Sequence, residues 1–263
     1  MRRVLGLLVV AALVAACSDD AEDPEDPAPQ PDVARVTDEA LTDRCGGIET
    51  PETETLLVDS STGEQLYAVA AGSGETAVVL VHGSGTIGVC AWAADIGWLA
   101  DAGHRVVGFD AACVGNSTCD ADEPAPVEDL AAVVASARDD GAERVVVLAA
   151  SAGGPMAPQI AADPDGGVDA AVALSPADLD LAVPGSDLST ADAAAAATVP
   201  VLYVLAEGDP YAEPADVRAL AQASPTAEVL VPKGSGHAQE LLTSESGEPT
   251  QVRRQVQEFL AGP

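Results

Sequence analysis

Residues 145–154 read VVVLAASAGG, which is a buried strand followed at once by a sharp turn. Consecutive apolar residues of this kind are typical of a strand that is covered on both faces of a sheet. Ser151 stands just after them, with Ala149 and Gly153 two residues to either side. A turn between strand and helix closes only around small residues, and it strains the residue at its apex while exposing the side chain. We therefore predict a strand, a tight turn and a helix, with Ser151 as a candidate nucleophile.

Further β-type runs flank this stretch and give the chain a regular alternation. The eight predicted strands cover residues 56–58, 65–70, 77–81, 105–109, 145–149, 168–174, 201–205 and 227–231. Stretches of helical period lie between them; for example, Leu130, Val134 and Ala137 share one helix face. This alternation predicts an α/β protein, with a mostly parallel eight-stranded sheet and helices on both faces. In such sheets, ligands bind beyond the carboxyl ends of the strands.

Two of the later strands are followed by residues that complement a serine nucleophile. Asp209 follows the strand 201–205, and His237 follows the strand 227–231. A neutral imidazole can take the serine proton near pH 7, and a carboxylate can fix the imidazole tautomer and stabilise the charged ring. We predict that His237 is the base and Asp209 its partner, with Glu207 and Asp178 as alternative acids.

The other two histidines have different predicted roles. His82 follows the strand 77–81 and precedes Gly83, so we interpret it as shaping the loop rather than as carrying a proton. His104 stands in a turn between a helix and a strand, at the edge opposite the carboxyl ends. We predict that it lies on the surface.

These motifs together resemble the α/β-hydrolase superfamily, over nearly the whole stretch from residue 55 to residue 263. The resemblance implies the α/β-hydrolase fold and a serine hydrolase with Ser151, His237 and Asp209 as its catalytic triad. Ala149 departs from the family pattern, which has glycine at that position. Only residues 175–199 occupy the place where many relatives carry a cap domain, so the resemblance implies a minimal cap or none.

Two backbone N–H groups are candidates for binding the oxyanion of such a reaction. Ala152 opens the helix after the turn, where the positive end of the helix dipole favours a developing negative charge. The second donor is implied by the resemblance: relatives use the residue after the His-Gly pair, which is Ser84 here, with Gly85 as the alternative.

The loop after the strand 105–109 also resembles a family motif. Residues 109–117 read FDAACVGNS where the family has Asp-x-Arg-Gly-x-Gly-x-Ser, so Ala112 and Cys113 replace the usual Arg-Gly. That loop is architectural in relatives, and a disulfide could replace the lost arginine contacts.

The cysteines beyond Cys17 predict two disulfides. Cys45, Cys90, Cys113 and Cys119 allow three pairings, and the sequence does not choose among them. The short loop between Cys113 and Cys119 favours that pair, which leaves Cys45 with Cys90. The chain has no CxxC spacing, which argues against a zinc site.

The first residues predict export and a lipid anchor. The apolar run over residues 4–16 follows two arginines and is too short to span a bilayer, so it indicates a secretory signal. Its end, LVAAC, resembles the bacterial lipoprotein signal, in which Cys17 becomes the lipidated first residue; a plain signal peptide cut after Ala16 is the alternative. We expect a signal in residues 1–16, an acidic proline-rich tether in residues 17–50, and an α/β-hydrolase domain in residues 51–263, anchored at the outer face of the cell membrane.

The amino-acid composition limits which classes of partner and substrate the protein can bind. The 263 residues include 11 Lys and Arg against 43 Asp and Glu, a formal net charge of −32, which opposes binding to nucleic acid. The chain has no nucleotide loop or cofactor motif, so we expect no cofactor. The expected substrate is a small-molecule or lipid ester. An acyltransferase or peptidase on the same triad, and a non-catalytic binding lipoprotein of the same fold, are the alternatives.

Overall fold

The computed structural model describes residues 39–120 and 124–262, which form one eight-stranded sheet with helices on both faces. Each predicted strand is found, with small shifts at its ends. The strands are β1 (Glu54–Asp59), β2 (Gln65–Ala71), β3 (Thr76–Val81), β4 (Arg105–Phe109), β5 (Arg144–Ala150), β6 (Ala170–Leu174), β7 (Val201–Val204) and β8 (Ala227–Leu230). The predicted fold class is thus confirmed.

The sheet has the strand order β1-β2-β4-β3-β5-β6-β7-β8. The pairs β1·β2 and β2·β4 are antiparallel, and every pair from β4 to β8 across the sheet is parallel. The carboxyl ends of β3 to β8 therefore meet at one edge, which we call the carboxyl edge; the opposite edge is the amino edge. The central strands β3, β5 and β6 are buried along almost their whole length, as their continuous apolar sequences require.

Seven helices cover the sheet in the described part of the chain. They are α1 (Leu41–Arg44), α2 (Ala93–Asp101), α3 (Pro126–Asp139), α4 (Met156–Ala162), α5 (Thr190–Ala196), α6 (Pro214–Ala223) and α7 (Gln251–Ala261). Helices α3 to α6 pack their apolar residues into one core layer, and α1, α2 and α7 pack theirs into the layer on the other face. No helix within residues 39–120 and 124–262 is long and apolar enough to cross a bilayer.

The segment before β1 packs against the domain. Leu41 is buried, and Cys45 forms a disulfide with Cys90. A buried leucine and a covalent bond therefore hold this segment, which the predicted boundary at residue 51 assigns to the tether. The second disulfide joins Cys113 to Cys119, so the structure has the pairing that loop length favours. The predicted signal in residues 1–16 and the lipidation site Cys17 lie outside the described residues.

His104 is buried, so its predicted surface position is wrong. Only 7% of the residue is exposed, and its ring Nδ1 has no hydrogen-bond partner among the described residues. The turn that holds His104 is packed closely: a Cβ on Gly72 or Gly74 would collide with the backbone of Gly103 and His104. The β2–β3 connection therefore closes tightly over the turn. Burial lowers the pKa of His104 from its ordinary value.

Candidate active site

Ser151 occupies the apex of a tight turn at the carboxyl end of β5. Its φ is +53°, a left-handed conformation that a non-glycine residue adopts only under constraint. Its carbonyl accepts hydrogen bonds from the N–H groups of Gly154 (2.8 Å) and Ala177 (3.0 Å). Gly153 has to be small, as predicted, because a Cβ on it would strike the His82 carbonyl; a Cβ on the next residue, Gly154, would lie 2.6 Å from Pro176. The sequence therefore closes the turn and holds the serine in place.

Three side chains from three loops form one hydrogen-bonded chain. His237 Nε2 lies 2.9 Å from Ser151 Oγ, and His237 Nδ1 lies 2.9 Å and 3.1 Å from the two carboxylate oxygens of Asp209. The Asp209 side chain is fully buried, whereas 16% of the His237 side chain is exposed. With the neutral ring protonated on Nδ1, His237 donates to Asp209 and accepts from the serine hydroxyl. This arrangement can remove the serine proton and stabilise the imidazolium that results.

Hydrogen bonds between two loops bring Asp209 to His237. The loop after β7 and the loop after β8 continue the pairing of their strands: Glu207 N–H donates to Pro232 O, and Gly208 N–H donates to Gly234 O, both at 2.8 Å. The rival acids are placed elsewhere. Glu207 is exposed on this loop, and Asp178 is exposed in the connection after β6. Of the three candidate acids, Asp209 contacts the ring.

Tyr211 is a neighbour of the ring that the sequence reading missed. Its ring centroid lies 4.6 Å from that of His237 at an interplanar angle of 62°, and its N–H donates to Asp209 Oδ1 at 2.9 Å. The residue is 69% exposed, so it covers the solvent side of the His237–Asp209 pair. Its position two residues after the acid was the available signal, because an aspartate can accept from the N–H two residues on.

His82 is held as a structural residue. Its Nε2 accepts the Ala111 N–H at 3.2 Å, and its Nδ1 donates to the Gly83 carbonyl at 2.7 Å. Gly83 lies directly against Ser151, since a Cβ there would be 2.8 Å from Ser151 Cβ. Of the candidate oxyanion donors, Ala152 follows Ser151 and lines a cavity, and Ser84 is exposed one residue beyond Gly83.

An apolar cavity of about 330 Å³ opens beside Ser151, at the low end of the range for small-molecule sites. The loop after β3, the start of α4 and the β6–α5 connection form its walls. The lining includes Val81, Gly83, Ala152, Gly153, Pro155, Met156, Asp178, Leu181, Val183 and Pro184. Asp178 is the one carboxylate among the lining residues that the structure describes. The short β6–α5 connection therefore serves as a small cover.

A metal centre is not found in the described part of the chain. No group of three or more His, Cys, Asp or Glu side chains within residues 39–120 and 124–262 is placed to hold an ion.

Solved structures with the same architecture are numerous, although no protein family and no curated protein matches the sequence. Esterase Pf2001 from Pyrococcus furiosus aligns with a TM-score of 0.66 at 17% identity, covering 89% of this chain and 98% of that one. A CIB-like hydrolase from Thermoplasma acidophilum gives 0.61 at 21% identity, covering 81% and 99%. Proline iminopeptidase from Mycobacterium smegmatis gives 0.60 at 18% identity, covering 79% and 98%. At these identities the likeness shows the fold, which is the α/β-hydrolase fold.

Proposed function

We propose that this protein is a serine hydrolase that cleaves small carboxylic esters through a covalent acyl-enzyme. The observation that carries the proposal is the hydrogen-bonded chain from Ser151 through His237 to Asp209, beside an apolar cavity. A nucleophile, a base and a group that orients the base, all in contact, are the arrangement that activates a serine hydroxyl. Similarity in fold to esterases supports the same reaction class.

The reaction proceeds in two half-reactions. Ser151 Oγ attacks the ester carbonyl carbon while His237 Nε2 takes the hydroxyl proton, and Asp209 stabilises the imidazolium. The tetrahedral intermediate collapses to an acyl-serine as His237 gives the proton to the leaving alcohol. Water then attacks the acyl-serine by the same steps, which releases the acid and restores Ser151.

The oxyanion is held by the N–H groups of Ala152 and Ser84. Ala152 directly follows the nucleophile at the start of a helical turn, and Ser84 belongs to the loop whose first glycine contacts Ser151. Removing one such donor typically costs about 10²–10³-fold in rate. These donors are backbone groups, so side-chain substitution does not remove them.

The cavity favours an uncharged ester with a short apolar group. Its lining is mostly apolar, and Asp178 together with the strongly negative chain opposes anionic substrates. A small apolar pocket binds such a group by removing its surface from water.

Turnover of p-nitrophenyl esters tests this function. We expect hydrolysis of the acetate and butyrate, weaker hydrolysis of long-chain esters, and loss of activity in Ser151→Ala. Ser73→Ala, at an exposed serine in the β2–β3 connection at the amino edge, is the matched control and should behave as wild type. Equal turnover by wild type and Ser151→Ala would reject the proposal.

The alternatives give different results. Cleavage of peptide amides faster than of esters would assign the peptidase alternative, and acyl transfer to an added alcohol in preference to water would assign the acyltransferase. Ligand binding without turnover would favour the binding lipoprotein.

We propose further that Cys17 carries a lipid and anchors the enzyme at the outer face of the cell membrane. The signal in residues 1–17 supports this, as do two disulfides, which are typical of an oxidising compartment. Two acyl chains hold a protein stably on a membrane. Replacing Cys17 with Ser should lower the mass by a diacylglycerol and move the protein from the detergent phase to the aqueous phase. Unchanged mass and partitioning would reject the anchor.

A further inference from the structure

Asp110, directly after β4, is a fully buried carboxylate that the proposed reaction does not use. Arg44 of helix α1 pairs with it, its Nη2 lying 2.5 Å from Asp110 Oδ2. The Arg44 side chain is 12% exposed and its guanidinium lies 4.6 Å above the ring of Tyr67. The loop of Asp110 lacks the arginine that the family motif carries, so the guanidinium comes from a segment 66 residues earlier.

The carboxylate of Asp110 also binds the backbone on two sides. Its Oδ1 accepts the Val89 N–H at 2.8 Å, and its Oδ2 accepts the Asn116 N–H at 2.9 Å. Gly88 and Gly115 give it room, because a Cβ on either glycine would overlap the carboxylate. The surrounding backbone therefore fixes the orientation of the Asp110 carboxylate.

These contacts fasten both ends of the loop that carries Ser84. At the beginning of the loop, the His82 ring accepts the Ala111 N–H. At its end, the Val89 N–H donates to Asp110, and the next residue, Cys90, is bonded to Cys45. Two consecutive residues, Asp110 and Ala111, thus hold the loop at two points. The charge of Asp110 is in turn balanced by Arg44.

We propose that Arg44 is a positioning residue of the enzyme, which acts through Asp110 to hold the oxyanion loop in its reactive geometry. The inference rests on the proposed function. Arg44 touches no reacting atom; without it, the buried Asp110 carboxylate loses its ion-pair partner and turns away from the Val89 N–H. The loop then shifts, and the Ser84 N–H no longer meets the oxyanion. The Cys45–Cys90 disulfide keeps Arg44 beside Asp110 by tying its neighbour to the far end of the loop.

The test compares Arg44→Met and Arg44→Lys with Arg105→Met, using p-nitrophenyl butyrate turnover, phosphonylation rate and thermal unfolding. Arg105 is a matched control because it pairs with Asp140 at the other end of the same strand, β4. We expect Arg44→Met to lower kcat and the phosphonylation rate roughly 10- to 100-fold with KM within about threefold, since misplaced groups cost about that much. Arg44→Lys keeps the charge and folds, but an ammonium does not reproduce the planar contact of the guanidinium. Its kcat therefore lies between those of wild type and Arg44→Met. Arg105→Met retains wild-type kcat.

Two outcomes overturn the proposal. One is folded Arg44→Met with kcat within about twofold of wild type. The other is a loss of activity in Arg44→Lys and Arg44→Met that matches the unfolded fraction at the assay temperature. Failure of the proposed function gives a different result, because wild type and Ser151→Ala would then hydrolyse the ester alike. If Ser151→Ala is inactive and Arg44→Met is not impaired, the proposed function stands and the role of Arg44 is rejected.

Discussion

The turns at the carboxyl edge and at the amino edge of the sheet differ in which residues adopt positive φ. Turns at the amino edge take positive φ at glycine, as at Gly103 before β4, Gly141 before β5 and Gly167 before β6. At the carboxyl edge, glycines such as Gly85, Gly88, Gly115 and Gly234 take it too, but non-glycine residues take it as well. Within residues 39–120 and 124–262, they are Cys113, Ser151, Ser175, Asp178 and Ala238, which all follow β4, β5, β6 or β8. Glycine adopts this conformation without steric cost, whereas other residues lose about 1–2 kcal/mol each.

The ion pairs at the two edges also differ, in how far their side chains are exposed to solvent. At the amino edge, the ion pairs Arg105–Asp140 and Arg138–Asp169 are partly exposed and contribute little to stability. At the carboxyl edge, the side chains of Asp110 and Asp209 are fully buried, and their partners Arg44 and His237 are mostly buried. Buried charges and strained turns are kept where side chains must meet, which is typical of functional sites.

The largest expected effect is at Ser151, where strain and chemistry coincide. Ser151→Ala and Ser151→Gly should both reduce kcat by at least about 10⁴-fold, because neither has a nucleophile. Ser151→Gly should nonetheless be more stable than Ser151→Ala by roughly 1 kcal/mol, since glycine relieves the positive φ. Urea denaturation of both variants measures this difference. Equal stabilities would mean that the turn stores no strain.

Asp209 gives the next largest effect. Asp209→Asn should lower kcat by about 10⁴-fold, because an amide that donates to Nδ1 fixes the wrong imidazole tautomer. Glu207→Gln, two residues away and exposed, is the matched control and should stay within a few-fold of wild type. The kcat values of the two variants decide between the two acids; the opposite order would assign the role to Glu207.

A pair of glycine substitutions compares the two edges directly. Gly83→Ala places a methyl group 2.8 Å from Ser151 Cβ, so it should lower kcat on the order of 10²–10³-fold. Gly141→Ala has open space around it but a φ of +95°. It should cost about 1 kcal/mol of stability and leave kcat unchanged. If Gly141→Ala impaired kcat as Gly83→Ala does, the distinction between the edges would fail.

The smallest effect concerns stability alone and involves Asp95 of α2. This residue is 3% exposed and accepts from the Trp98 indole N–H at 2.8 Å, and burial raises the pKa of Asp95 to about 6, against the attraction of Arg253. The folded state therefore binds this proton more tightly than the unfolded chain does. Its contribution to stability is present below about pH 4 and is lost as the pH rises through 6, by up to roughly 3 kcal/mol.

Denaturation of wild type and Asp95→Asn at several pH values measures this contribution. The stability of Asp95→Asn relative to wild type should rise between about pH 4 and pH 7, while kcat stays unchanged. A difference that does not depend on pH would show that Asp95 has an ordinary pKa.

The strands, and the meeting of Ser151, His237 and Asp209 in one hydrogen-bonded chain, could be predicted because their signals are local. A continuous apolar run marks each buried strand, and Ser151, Asp209 and His237 follow three such runs. The contacts of Arg44 could not be predicted, since its partner Asp110 is 66 residues away and α1 is one turn long. His104 was misplaced for a similar reason: the turn that holds it packs against a connection some thirty residues earlier. Contacts between distant segments leave no periodic pattern in the sequence.

The most direct test of the central claim is covalent labelling with a fluorophosphonate, read by mass spectrometry of the intact protein and its peptides. Activation of Ser151 by His237 and Asp209 predicts one adduct per chain, located on Ser151, formed much more slowly in Asp209→Asn and absent in Ser151→Ala. An adduct on another residue, or a Ser151 adduct that forms equally fast in Asp209→Asn, would contradict the account.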